Sequence, residues 1–307
     1  MTALAYLGPP GTFAETAARL VGGDDELVAY SDVPDVLRAV SEGDTPRGVV
    51  PIENTLEGSV TVTLDALAFD VDLLIQAELE LPVHFVIATR PDIALPDVKV
   101  VRSHEIALAS CRRWLSRTIP AAERVAMTST AKAAEVVADS SEPEAAIVNP
   151  LAAERYGLTV HAKGIGDHDG NVTRFVVVGH ELVAPTGWDK TSIVAFIAEN
   201  RPGSLLRLLE IFAERELNLT KIESRPTKKE LGEYCFFVDV EGHVADERVG
   251  DALTAVKRTH RDVKLLGSYR RSGARRTDEG VRIASDDAGY RDAATWVADL
   301  RARIARS

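Results

Sequence analysis

Residues 164–179 read GIGDHDGNVTRFVVVG, a glycine-rich acidic turn running into a short β-pattern. Side chains alternate faces along a strand, so Thr173, Phe175 and Val177 share one face and Arg174 points to the other. A hydroxyl beside an aromatic ring at a strand entrance, next to a flexible loop, suits a small-molecule site better than a plain core strand. A β-strand after a glycine turn explains the same residues, so the surrounding chain decides between the two.

Working outward, one device recurs: an apolar strand, a polar or glycine-rich turn, then a helix start. ALAYLGPPGTF (3–13) ends in a turn where Thr12 caps a helix, with Glu15 completing an S/T-x-x-E box. GVVPIENTLEGSV (48–60) puts Glu53 and Asn54 at a strand's end and Ser59 at the start of a helix whose inward side carries Val62, Leu64, Leu67 and Ala68. VKVVRSH is followed by a helix from Glu105 to Leu115. RVAMTSTAKAAEVVA (124–138) sets Ser129 and Thr130 at a helix start, and EAAIVNPLAAERYGL (144–158) sets Asn149 at the end of a strand. Free backbone N–H groups at helix starts bind anions, and ligands of open α/β sheets sit at the strands' carboxyl ends. Thr12, Glu53, Asn54, Ser59, Ser129, Thr130 and Asn149 are therefore the candidate ligand-binding residues. The bland reading of Asn54 and Ser59 is that they only satisfy loop and helix-end backbone groups. Alternating strands and helices predict an α/β fold, in two lobes joined by crossing segments near residues 75–85 and 155–170, with a cleft between.

Downstream, HELVAPTGWDK (180–190) reads as a linker. A unit of about 80 residues follows, in which strand and helix patterns run βαββαβ, the ferredoxin-like order. Its first helix places Leu205, Leu208, Leu209 and Phe212 at core spacing. Its edge strands need pairing, which makes dimerisation reasonable. Residues 271–289 are polar and charged, a composition that resists packing, and Tyr290 to Ile304 has the spacing of a short amphipathic helix.

The bulk properties set limits. The chain has 307 residues, 45% hydrophobic and 27% charged, as in ordinary globular proteins of two domains. Its net charge of −11 disfavours nucleic acid, which needs concentrated positive charge. No apolar run reaches membrane-spanning length, and the N-terminus lacks an export signal, so a cytoplasmic protein is expected. Cys111 and Cys235 read as buried thiols. His84, His104, His161 and His168 lack metal-ligand spacing, and neither a Walker loop, a GxGxxG fingerprint nor a GxSxG elbow occurs. Asp167, His168 and Asp169 are of types that could be catalytic, but they read more readily as a solvated turn.

Five ordered blocks, YLGPPGTFAE, GVVPIENTLEGSV, TSTAKAAEVVA, AAIVNPLAAERYGL and GIGDHDGNVTRFVVVG, resemble the prephenate dehydratase family over nearly all of residues 1–180. ENRPGSLLRLLEIFAERELNLTKIESRP (199–226) looks like the ACT regulatory domain usual in that family. The resemblance implies a two-lobed, periplasmic-binding-protein-like catalytic domain over 1–180, a ferredoxin-like ACT domain over 190–270, and a charged tail with a short helix over 271–307. It implies conversion of prephenate to phenylpyruvate without metal or cofactor, feedback control by phenylalanine, and a homodimer or homotetramer. A fused chorismate mutase is not expected. By resemblance Thr173 donates to the leaving oxygen, Phe175 supplies an apolar wall, and Arg174 binds substrate or pairs with a structural acid. The effector is expected at Asn200 and GSLL (Gly203, Ser204, Leu205, Leu206), where Ser204 and Leu206 depart from the usual Ala and Val, and at ESRP (Glu223, Ser224, Arg225, Pro226). Two rivals remain: an arogenate dehydratase, and a non-catalytic amino-acid-sensing protein.

Overall fold

The computed structural model describes residues 2–197, 201–228, 230, 232–273 and 287–303. Contacts divide the chain into two units, Met1–Asp72 with Leu79–Gly179, and Leu73–Glu78 with His180–Ser307.

In the first unit the chain runs β1 (Ala3–Leu7), α1 (Phe13–Gly22), β2 (Glu26–Tyr30), α2 (Val33–Ser41), β3 (Arg47–Asn54), β4 (Gly58–Ser59) and α3 (Thr61–Asp65), which ends in a π turn at Ala66–Asp70. It continues through β5 (Leu74–Pro82), whose residues up to Glu78 count with the second unit, then β6 (Val86–Thr89), β7 (Val100–His104), α4 (Glu105–Ser110), α5 (Arg112–Thr118) and β8 (Glu123–Met127). Then come α6 (Thr130–Asp139), β9 (Glu144–Val148), α7 (Pro150–Arg155), β10 (Thr159–Lys163) and β11 (Val172–Gly179). One sheet has the order β2-β1-β3-β11-β5 with β4 beside β3, and the other β10-β6-β9-β7-β8. The chain thus crosses between sheets twice, from β5 to β6 and from β10 to β11. Strands buried on both faces are continuously apolar: Val49 and Val50 in β3, Val176 to Val178 in β11 and Ala145 to Val148 in β9 are all inaccessible or nearly so.

The second unit runs β12 (Asp189–Phe196), α8 (Ser204–Ala213), β13 (Leu219–Pro226), β14 (Tyr234–Glu241), α9 (Glu247–Thr259) and β15 (Asp262–Arg270), the βαββαβ order, with α10 (Asp287–Ala302) after it. Its antiparallel sheet has the order β13-β14-β12-β15, and Ile193, Leu208, Phe212, Val238 and Val256 fill the core beneath it. Lys190, with a side chain 10% exposed, reaches Glu78, 1% exposed, at 3.0 Å. Gly267 lets β15 pass so close to residue 75 that a Cβ there would lie 2.3 Å from the Ile75 carbonyl oxygen.

Several local expectations need correcting. Ser59 caps no helix: it pairs with Glu53 in a short antiparallel bridge, and α3 starts two residues later. Val62 is exposed, because α3 buries Thr63, Leu64 and Asp65 instead. The helix expected from Glu105 to Leu115 breaks into α4 and α5 at Cys111. Leu205 is 37% exposed, whereas Leu208 and Phe212 are buried. Helix α10 begins at Asp287, inside the stretch read as unstructured, and Ile304 lies outside the described residues. Cys111 and Cys235 are buried thiols not joined in a disulfide, and burial pushes the Cys111 thiol up to about 12.

Candidate active site

Strand β11 pairs antiparallel with β3, bringing Thr173 opposite Asn54 and Arg174 opposite Glu53. Phe175 then faces Pro51, so Ile52 is an extra residue in β3, a β-bulge of the kind that re-aims side chains beside sites. Thr173 and Phe175 both line a cavity of about 830 Å³. Its walls come from both sheets of the first unit. Leu7, Thr12, Phe13, Asn54 and Thr173 stand on one side; Phe85, His104, Ser129, Thr130 and Lys132 stand on the other. Phe13 and Phe85 meet edge to face at 5.7 Å.

Hydrogen-bond directions sort the candidates. Asn54 Oδ1 accepts from Leu56 N–H at 2.9 Å and Glu57 N–H at 3.1 Å. Its amide nitrogen must therefore face the other way, and it donates to Thr173 Oγ1 and to Asn171 Oδ1, each at 2.9 Å. A hydroxyl has one proton and two lone pairs, so Thr173 accepts from Asn54 and keeps its proton for a ligand. Ser129 caps α6 by accepting from Lys132 N–H at 3.0 Å and likewise retains its proton. Thr12 does not: its oxygen accepts from Glu15 N–H at 3.3 Å and donates to the Leu7 carbonyl at 3.1 Å. What Thr12 offers a carboxylate is the start of α1, where backbone N–H groups and the helix dipole favour an anion. The start of α6, with Thr130 as its first residue, meets the same cavity.

Four expected residues stand elsewhere, among them Ser59, which does not line the cavity. Arg174 is 9% exposed and faces Glu53 at 3.3 Å; neither lines the cavity, because strand alternation turns both from Thr173. Asn149 is 1% exposed, and its side-chain oxygen caps α7 by accepting from Ala152 N–H at 2.7 Å. The acidic turn is not merely solvated. Asp167, with a side chain 7% exposed, accepts from the N–H groups of Arg113 at 2.8 Å and Trp114 at 3.3 Å, capping α5 from a distance.

Other lining residues escaped the sequence reading. Asn171 lies two positions before Thr173, hence on its face of the strand, and alternation alone could have marked it. Lys132 at the cavity pairs with Glu135 at 2.9 Å, which raises its pKa; nothing in the sequence distinguished it from a solvated helix lysine. Among the described residues no cluster of His, Cys, Asp or Glu could hold a metal ion, and no helix is long and apolar enough to cross a membrane.

In the second unit Gly203 begins α8 with φ +88. Ser204 lines a depression of about 530 Å³ with Arg201, Arg207, Thr259 and His260. Leu205 and Leu206 are exposed beside it. Glu223, Ser224, Arg225 and Pro226 belong to β13, an edge strand, and do not line that depression. Asn200 lies outside the described residues.

Comparison with known proteins identifies the family of each part of the chain. A family model described as prephenate dehydratase matches residues 4–182, and one described as the ACT domain matches residues 192–258. A prephenate dehydratase of Amycolatopsis methanolica is 45% identical over 98% of each chain. The crystal structure of an Arthrobacter aurescens prephenate dehydratase in complex with L-Phe is 39% identical and superposes with a TM-score of 0.89, covering 97% of this chain and 99% of that one. A quorum-quenching acylase, 26% identical, superposes with a TM-score of 0.80 over 88% of this chain and 98% of its own.

Proposed function

The chain belongs to the prephenate dehydratase family and carries an ACT domain, and on that premise we propose that it converts prephenate to phenylpyruvate, water and carbon dioxide under feedback control by phenylalanine. Prephenate is a dianion bearing a hydroxyl para to a ring carboxylate. When the C–O bond breaks, the C–C bond to that carboxylate gives its electrons to the ring, and an aromatic product forms. The driving force thus lies in the substrate. The protein must hold two carboxylates, assist departure of the hydroxyl and orient the ring.

The observation that carries this reading is the Asn54–Thr173 hydrogen bond at 2.9 Å. It leaves the threonine proton as a donor at the cavity, where it meets the departing oxygen. The starts of α1 and α6, with Ser129 and Thr130, supply the carboxylate sites, and Phe175 and Phe85 wall the ring. Thr173 meets an amide donor instead of a base, which suits hydrogen-bond donation and not the activated nucleophile an acylase needs. In the second unit the glycine-led start of α8 is the effector candidate, and β13, an edge strand of its sheet, suits pairing with a second copy. This reading implies a cytoplasmic homo-oligomer. The test is incubation of the pure protein with prephenate, following phenylpyruvate absorbance with and without phenylalanine. No turnover by folded protein would sink the enzyme reading, and faster turnover of arogenate would change its substrate.

A further inference from the structure

Glu15 is 3% exposed, yet its carboxylate is fully engaged. Oε1 accepts from Arg19 Nη2 at 2.7 Å and Nε at 3.0 Å, and from Arg155 Nη2 at 2.8 Å. Oε2 accepts from the backbone N–H of Gly11. The box expected from the sequence would return Glu15 to the N–H of Thr12; the side chain reaches one residue further back. Arg19 and Glu15 lie on the same helix, one turn apart. Arg155 does not: it ends α7, which follows β9 of the other sheet. The pair therefore joins the two lobes that face each other across the cavity.

The turn held by this pair is itself a cavity wall, since Gly8, Pro9, Thr12 and Phe13 line it. Gly11, at φ +91, sits against the other lobe: a Cβ there would lie 3.5 Å from the Cβ atoms of Ala131 in α6 and Ala152 in α7. A buried carboxylate between one backbone N–H and two arginines fixes the turn by charge-assisted bonds, which are short and directional.

We propose that Arg155 is a positioning residue for the reaction, acting through Glu15 to hold the 8–13 turn and the start of α1 where the substrate carboxylate binds; this rests on the dehydratase reading. Because the carboxylate is bound before and during the reaction, loss of the tie weakens ground state and transition state alike. Arg19 provides the internal control, for it contacts the same carboxylate without spanning the lobes.

The test compares Arg155→Met, Arg155→Lys and Arg19→Met in steady-state kinetics with prephenate. Hydrogen exchange of the 8–13 amides and thermal unfolding are measured on the same samples. Arg155→Met raises KM about tenfold, the scale of one hydrogen bond to a charged group, with kcat within about twofold. Arg155→Lys recovers most of that loss, and only Arg155→Met exposes the Gly11 amide to exchange. Equal KM effects of Arg155→Met and Arg19→Met, or an unchanged KM and Gly11 exchange in Arg155→Met, would overturn the proposal. A wild-type protein that fails to turn over prephenate would overturn the activity reading instead, and the exchange data would still judge the tie between lobes.

Discussion

Asn54 holds Thr173 by a single hydrogen bond from its side-chain amide at 2.9 Å, so the two residues make separable predictions. Thr173→Ala removes the donor to the departing oxygen and lowers kcat by roughly 10²–10⁴-fold, the usual contribution of a positioned proton donor. Thr173→Ser keeps the hydroxyl and retains far more activity; a single-turnover assay on each variant decides this. Near-normal kcat in Thr173→Ala would remove the residue from the mechanism. Arg174, next in sequence, faces Glu53 instead, and Arg174→Met is expected to alter stability more than kcat. The sequence could place Thr173 and Phe175 on one face because strand geometry is local. It could not assign proton directions, since these depend on Leu56 and Glu57 N–H groups fixing the Asn54 amide.

Elements that depend on local pattern were legible, and those set by partners were not. The caps at Thr12 and Ser129 and the buried runs of β3, β9 and β11 follow from residue type and periodicity. The break at Cys111 does not: Asp167, more than 50 residues away, caps α5 and lets the helix restart. Asp167→Ala should cost about 0.5–2 kcal/mol, the range of a lost helix cap, measurable by urea denaturation. The bulge at Ile52 was likewise invisible, because an extra residue in one strand leaves no mark on hydrophobic alternation. At α8, Gly203 has open space around a Cβ but a φ of +88. Gly203→Val is therefore strained in its backbone and not by a clash, since β-branched residues avoid that region. It should abolish the response to phenylalanine while sparing basal turnover, as a titration of initial rates against phenylalanine would show.

Across the whole molecule, buried carboxylates tie stability to pH. The bidentate Arg102 guanidinium lowers the Glu144 pKa against the effect of burial. For Glu15, burial works to raise the pKa, but the Gly11 N–H and the two arginines prevail and lower it. Carboxylates with depressed folded pKa values stabilise above their unfolded value of about 4.3, and that contribution is lost as pH falls through the folded values. Stability should therefore fall below about pH 4.5, and Glu144→Gln should flatten that fall in acid titrations followed by circular dichroism. The buried Lys190–Glu78 pair gives a larger effect: Lys190→Met should cost about 3–5 kcal/mol, as breaking one side of a buried pair does. That pair also bears on how the chain is made. Glu78 leaves the ribosome 112 residues before its partner, and residues 73–78 belong with the unit synthesised last. During synthesis the β5 segment therefore gains its β11 neighbour, complete at Gly179, before β12 and β15 exist. A chain stopped at Gly179 would keep β11 beside β5 but lack Lys190 and the close passage at Gly267, so early termination should yield a fragment less stable than the full chain.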